Sequence, residues 1–307
     1  MRNLIFGLVF VPLAMLAADP SGSPSTYADS INNWRVRREA ALKADDGWLT
    51  VVGLTWLKPG ASRIGSNPAN EVVLPKSTPA LIGTLTLANS KVLFKPASGL
   101  AANAVLIDGQ PARETELHPD IDPAYTRVMV GRIKFLIIKR EDAQGEKFGV
   151  RIKDNDSAAR REFTGLRWFP VDPSWRVAAQ YVPYDKPHEV TFDTVAGVTE
   201  HDKAPGYVRF ERNGKEYRME PVVDDNELWF VMRDATSGKS TYAAARFLYT
   251  DLPRNGLKQP GPVTIDFNRA ENPPCVFTPY ATCPLPPPQN RLTLAVTAGE
   301  QMYGQQH

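Results

Sequence analysis

The chain has 307 residues, with 36 basic side chains against 34 acidic ones and a formal net charge of +2. So even a balance gives no electrostatic reason to bind nucleic acid or an anionic membrane, and a charged fraction of 23% with 42% hydrophobic residues excludes a disordered chain. About 289 residues remain after the leader described next, more than one core usually organises, which favours two domains or one large β architecture.

The first segment, "MRNLIFGLVFVPLAMLAADPSGSPS", has Arg2 as a positive start, an apolar run from Leu4 to Leu16, and small residues at Ala17 and Ala18. That is the pattern of a secretory signal peptide over residues 1–18. The run is shorter than the roughly 20 residues a spanning helix needs. The mature protein is therefore expected to be exported, periplasmic or secreted, with no integral membrane segment. Residues 19–45 read as a linker and helix: Thr26 with Asp29 makes a capping box, and Tyr27, Ile31, Trp34 and Ala41 recur at helical spacing over 27–43. The polar face of this helix is rich in arginine.

From "GWLTVVGLTWL" onward the segments shorten and β-branched residues dominate. Asn89-Ser90, Asp108-Gly109 and Gly131-Arg132 each separate two such runs, as hairpin turns do. The spacing predicts a β-sandwich domain over 46–165. Residues 154–176 read as a polar connector broken by Gly165, Pro170 and Pro173, with a domain boundary near 165 and a second antiparallel β domain over 166–307. Its clearest hairpin is "RFERNGKEYRM", where Asn213-Gly214 suits a type I′ turn. The predicted fold class is mainly β, an N-terminal helix followed by two β domains.

Several familiar sites are missing. Gly238-Lys239-Ser240-Thr241 lacks the first glycine of a P-loop, because Arg233 stands there. His118, His188, His201 and His307 show no ligand spacing, so no metal is expected. There is no G-x-S-x-G elbow, and nothing implies a cofactor.

The unusual stretch is "DFNRAENPPCVFTPYATCPLPPPQNRL", which holds both cysteines and seven prolines. In an exported protein Cys275 and Cys283 are the only possible intramolecular pair, and a disulfide between them would stabilise a small loop by roughly 2–3 kcal/mol. The competing reading is a reactive thiol beside Asp266, Glu271 or Glu300, activated by Arg246 or Arg269. The same rigid frame carries Asp266, Asn268, Glu271 and Asn272 before the prolines and Asn290 after them. With Tyr242, Arg246 and Glu300 these residues form the candidate binding site for a small polar ligand or a peptide. The expected function is a cell-envelope binding protein. The alternatives are a hydrolase using Asp266, Glu271 or Glu300 as acid and base, and a purely structural protein.

Two resemblances accompany this reading. "ASRIGSNPANEVVLPKSTPALIGTLTLANSKVLFKP", "AVLIDGQPARETEL" and "RVMVGRIKFLII" resemble a forkhead-associated sandwich. Ser66 and Asp108 replace the Arg and Asn with which that family binds phosphothreonine, and no His follows Ser77, so the likeness implies the fold without phosphopeptide binding. The double-cysteine segment, together with "RDATSGKSTYAAARFL" and "DDGWLTVVGLTWLKPGASRIGS", resembles the bacterial family known as domain of unknown function 1684. That likeness covers nearly all of the mature chain and implies no particular activity.

Overall fold

Thr26 opens the first element, α1 (Tyr27–Lys43): its side chain accepts from the Asp29 backbone N–H at 3.2 Å, and the Asp29 carboxylate accepts from the Thr26 N–H at 3.0 Å. This computed structural model describes residues 26–142 and 144–304. The expected leader over 1–18 and the start of the linker lie outside the described residues. Only Ile31 and Leu42 of α1 are fully buried. The helix docks mainly through its arginine face: Arg35 donates to the Phe169 carbonyl at 2.8 Å and stands over the Trp168 ring, and Arg38 reaches Glu300 at 2.9 Å. No helix among the described residues is long and apolar enough to cross a membrane.

Eleven strands follow in the first half. They are β1 (Val51–Trp56), β2 (Gly60–Gly65), β3 (Val72–Val73), β4 (Gly83–Ala88), β5 (Lys91–Pro96), β6 (Leu106–Ile107), β7 (Gln110–Pro111), β8 (Thr115–Leu117), β9 (Val128–Val130), β10 (Ile133–Asp142) and β11 (Gly145–Asp154). They form one sheet of order β1-β11-β10-β9-β6-β7 and a second of order β3-β2-β4-β5-β8. Between the sheets lies a core of Ile64, Leu85, Phe94, Val128, Phe135, Val150 and Ile152, the sandwich that alternating strands require. The expected turns are in place. Asn89 and Ser90 take φ of 50° and 59° between β4 and β5, and Asp108-Gly109 joins β6 to β7 at 46° and 79°.

A short helix, α2 (Ala158–Arg161), precedes the second half. There β12 (Arg176–Asp193), β13 (Thr199–Arg212), β14 (Lys215–Met219), β15 (Val222–Asp224), β16 (Glu227–Met232), β17 (Arg246–Asp251) and β18 (Gly261–Asp266) form two sheets, of order β14-β13-β12-β18 and β15-β16-β17. Asn213 and Gly214 make the β13–β14 turn with φ of 54° and 71°. Tyr181, Phe210, Phe230, Leu248, Ile265 and Phe267 fill the space between them, with Leu292, Leu294, Val296 and Ala298 of an extended C-terminal strap. The expectation of a mainly β chain with one N-terminal helix and several antiparallel sheets holds. Residues 233–245 are a series of turns leading into β17.

The strap seats its last turn at Gly299, whose φ is +81° and whose backbone carbonyl accepts from Phe169 N at 3.0 Å. A Cβ there would lie 2.3 Å from the Ala270 carbonyl oxygen. Gly299→Ala combines left-handed strain with a backbone clash. We expect it to lower stability by about 3 kcal/mol, measured by urea unfolding of the purified protein.

Candidate functional site

The structure divides the residues predicted as a site among separate structural duties. Asp266 caps the turn over residues 267–269 by accepting from Asn268 N at 3.1 Å, and takes a second hydrogen bond from the Tyr27 hydroxyl at 2.8 Å. The buried Asn268 accepts from Asp172 N at 3.0 Å and donates to Asp172 O at 2.8 Å. Asn290, fully buried, accepts from Glu220 N and donates to the Glu220 and Val231 carbonyls, all within 3.0 Å. Such residues beside prolines satisfy backbone groups at turns.

Arg246 is 0% exposed. It pairs with Asp234, also buried, rather than with Asp266, and donates to Ala298 O at 2.7 Å and Val296 O at 3.2 Å. Its partners hold the strap against β17, so it neither activates a thiol nor faces a ligand.

Glu271, Asn272 and Glu300 are brought together by Arg38. Its Nε lies 2.9 Å from Glu300 Oε1 and 3.2 Å from Glu271 Oε2, and its Nη2 donates to Asn272 O at 2.8 Å. Glu300 also accepts from Asn272 N at 2.7 Å, while Asn272 donates to Gln301 O at 2.8 Å. One guanidinium serves two carboxyl groups with little access to water. Burial first, then Glu300, pushes the Glu271 carboxyl up to about 7 against the pull of Arg38, and burial also raises Glu300.

The predicted disulfide is corrected. Both cysteines are free, and the contact between them is a hydrogen-bonded one. Cys275 N donates to Cys283 Sγ at 3.1 Å, and the Cys275 sulfur is hydrogen-bonded by the Cys283 thiol and by the Tyr242 hydroxyl. Those two hydrogen bonds lower the Cys275 thiol from its ordinary value, the Cys283 bond contributing most. The bond to Cys275, then burial, raises Cys283. Prolines, not a covalent staple, shape the segment: Pro274 and Pro288 open short 3₁₀ turns over 274–276 and 288–290.

A cavity of about 910 Å³ lies between the two halves. Strand β11 alternates so that Val150 and Ile152 enter the sandwich core, and Arg151 between them leaves the opposite face of the sheet. Arg151 lines the cavity with Arg140 of β10, Asp120, and Trp48. Across from them are Glu200 of β13, Trp229 of β16 and Phe247 of β17. The proline-rich segment closes one side with Pro274, Thr282, Cys283 and Pro284. Arg140 bridges the halves: Nη1 holds both Asp120 oxygens at 3.1 and 3.0 Å, and Nε faces Thr282 Oγ1 at 3.3 Å and Glu200 Oε1 at 3.4 Å.

Arg151 is treated differently. It is 6% exposed, its Nε and Nη2 have no hydrogen-bond partner, and its nearest carboxylate, Asp120, stands 4.0 Å from Nη1. Its guanidinium lies over the Trp48 ring, 5.0 Å from the centroid. Burial, then the neighbouring Arg140, lowers it to about 10. The indole Nε1 of Trp229 is also buried without a partner, though Phe247 and Tyr249 pack its ring at 5.0 and 6.1 Å. Buried donors without partners are rare in folded proteins. Sequence reasoning missed both residues. The usable signal was a charged residue alternating with core positions in "GVRIK" and the unbroken apolar run "LWFVM", which indicates a strand covered on both faces. Among the described residues, no group of three or more His, Cys, Asp or Glu could hold a metal ion.

Two predictions follow from these contacts. Because the folded-state Glu271 is raised to about 7 from 4.5, the folded protein binds this proton more tightly, so the contribution of this group to stability is full below about pH 4.5 and is lost as pH rises through 7. Carboxylates such as Glu71, held down to about 2, titrate below that window. The melting temperature at pH 8 should therefore be lower than at pH 5, and Glu271→Gln should recover on the order of 2 kcal/mol at pH 8. For the thiols, iodoacetamide on the native protein should label the half-buried Cys275 before Cys283. Tyr242→Phe, which removes one stabilising hydrogen bond, should slow labelling by roughly threefold or more at pH 7, read by peptide mass spectrometry.

Comparison with known proteins gives a family and no activity. A family model described as "Protein of unknown function (DUF1684)" matches residues 161–301. Among solved structures the chain is similar to an uncharacterised protein of Haloarcula marismortui determined by solution NMR, at 31% identity over 46% of this chain and 78% of that one, with a TM-score of 0.40. No curated protein matches, and the forkhead-associated likeness of the first half gains no support. The resemblance carried by the double-cysteine segment and the turns before β17 is thus matched by the family model, and the chain belongs to the DUF1684 family of proteins of unknown function.

Proposed function

We propose that this is an exported, noncatalytic binding protein of the cell envelope whose ligand occupies the cavity between its two β halves. The leader predicted over residues 1–18 supports the location. The cavity's 910 Å³ falls within the roughly 300–1,000 Å³ of small-molecule sites, and its walls set the aromatic rings of Trp48, Trp229 and Phe247 among charged side chains. The observation that carries the reading is Arg151, a nearly inaccessible guanidinium with two donor nitrogens unmatched by the protein.

The proline-rich segment keeps a part in this reading, as a wall rather than as the polar site itself. A carboxylate-dependent hydrolase has less support, since Glu271 and Glu300 share Arg38 and Asp266 caps a turn. None of the three lines the cavity.

A cocktail of small fragments, screened by ligand-observed NMR against the mature protein, tests the proposal. Ile121 lines the cavity yet is 62% exposed, so Ile121→Trp can obstruct it without touching the core. We expect several fragments to bind and Ile121→Trp to weaken them at least tenfold. Fragments that bind the variant unchanged, or an absence of binding, would sink the reading.

A further inference from the structure

The charges around the cavity are unevenly distributed. Its lining includes three cationic side chains, Lys139, Arg140 and Arg151, and five carboxylates, Asp120, Glu141, Glu200, Asp202 and Asp224. Arg140 is engaged by Asp120 and Glu200, and Lys139 by Glu146. What remains is an unmatched guanidinium edge at Arg151 and an unmatched acidic side. Asp202 does no more than accept from the adjacent Lys203 N–H at 2.7 Å. Burial and then Asp225 and Asp202 hold the Asp224 carboxyl above its usual range, as expected where like charges crowd without a counterion.

A simple anion would satisfy Arg151 but face the carboxylates, and a multiply charged one such as a phosphate would be repelled more strongly. A simple cation would satisfy the acidic side and leave Arg151 bare. The lining also includes the apolar rings of Trp48, Trp229 and Phe247.

Resting on the cavity-binding reading above, we propose that the ligand is a zwitterion with an apolar side chain, an α-amino acid or a short peptide. Its carboxylate pairs with the guanidinium of Arg151, its ammonium faces Asp202 and Asp224, and its side chain lies against Trp48, Trp229 and Phe247. The guanidinium fork suits a carboxylate, which can accept two parallel hydrogen bonds from adjacent N–H groups.

Calorimetric titration of the full mature protein tests this with three chemical series. L-leucine, L-phenylalanine and L-tryptophan are each compared with the corresponding amide, which lacks the carboxylate, and with the desamino acid, which lacks the ammonium. At least one amino acid should bind tenfold or more tightly than both of its analogues. In Arg151→Met the preference over the amide should vanish, while the unliganded variant should melt at the same temperature or higher, because an unmatched buried charge has been removed. A marked loss of stability in Arg151→Met would mean a structural role for Arg151 and overturn the proposal.

Amides that bind as well as the amino acids overturn the role of Arg151, and desamino acids that do so overturn the role of the acidic side. If none of the three series binds while neutral fragments still enter the cavity, the ligand class is wrong and the cavity-binding reading stands. If no fragment enters either, both fall.

Discussion

The C-terminal half is organised around one guanidinium that never meets water. Arg246 stands on β17, pairs with Asp234, and hydrogen-bonds two carbonyls of the strap at residues 296 and 298. Asp234 in turn accepts from Thr236 N at 2.8 Å and Val296 N at 3.2 Å. A buried ion pair of this kind adds little net stability over well-packed apolar residues, but the loss of one member is strongly destabilising. Here it selects an arrangement. The strap has no sheet of its own, and Arg246 fixes its distance and register against β17, so that Gly299 and Glu300 arrive where Arg38 can meet them.

Local signals were legible in the sequence to the extent that their causes are local. The capping box at Thr26 and Asp29 and the turns at Asn89-Ser90 and Asn213-Gly214 depend on a few neighbouring residues, and the structure reproduces them. The candidate site was less legible. Asp266, Asn268 and Asn290 have the polarity expected of a ligand-binding frame, but an Asp or Asn beside proline satisfies turn backbone just as readily. Nothing within the sequence distinguishes the two uses. Arg151 presents the converse difficulty: on an uncovered sheet it would be an ordinary exposed charge. It acquires meaning only because β13, β16 and the proline-rich segment cover that face from more than 40 positions away, a relation no local pattern contains.

The same dependence on distant contacts explains the cysteines. An eight-residue spacing in a chain expected to be exported argues for a disulfide, yet the fold needs none at that point. The segment around them is already fixed by proline-led turns, by the Thr278 hydroxyl donating to the Val51 carbonyl at 3.0 Å, and by Asn290. Tyr242 and Cys283 both hydrogen-bond the Cys275 sulfur, giving two chemically identical side chains opposite acidities.

Arg38 ties the first helix to the last turn of the strap across 262 positions of sequence. The chain is thereby closed into a noncovalent ring. In most proteins the ends of the chain open first and present backbone to exchange and proteolysis. Here an opening of either described end must break the same buried cluster of one guanidinium and two carboxylates. The two described ends therefore form one cooperative unit.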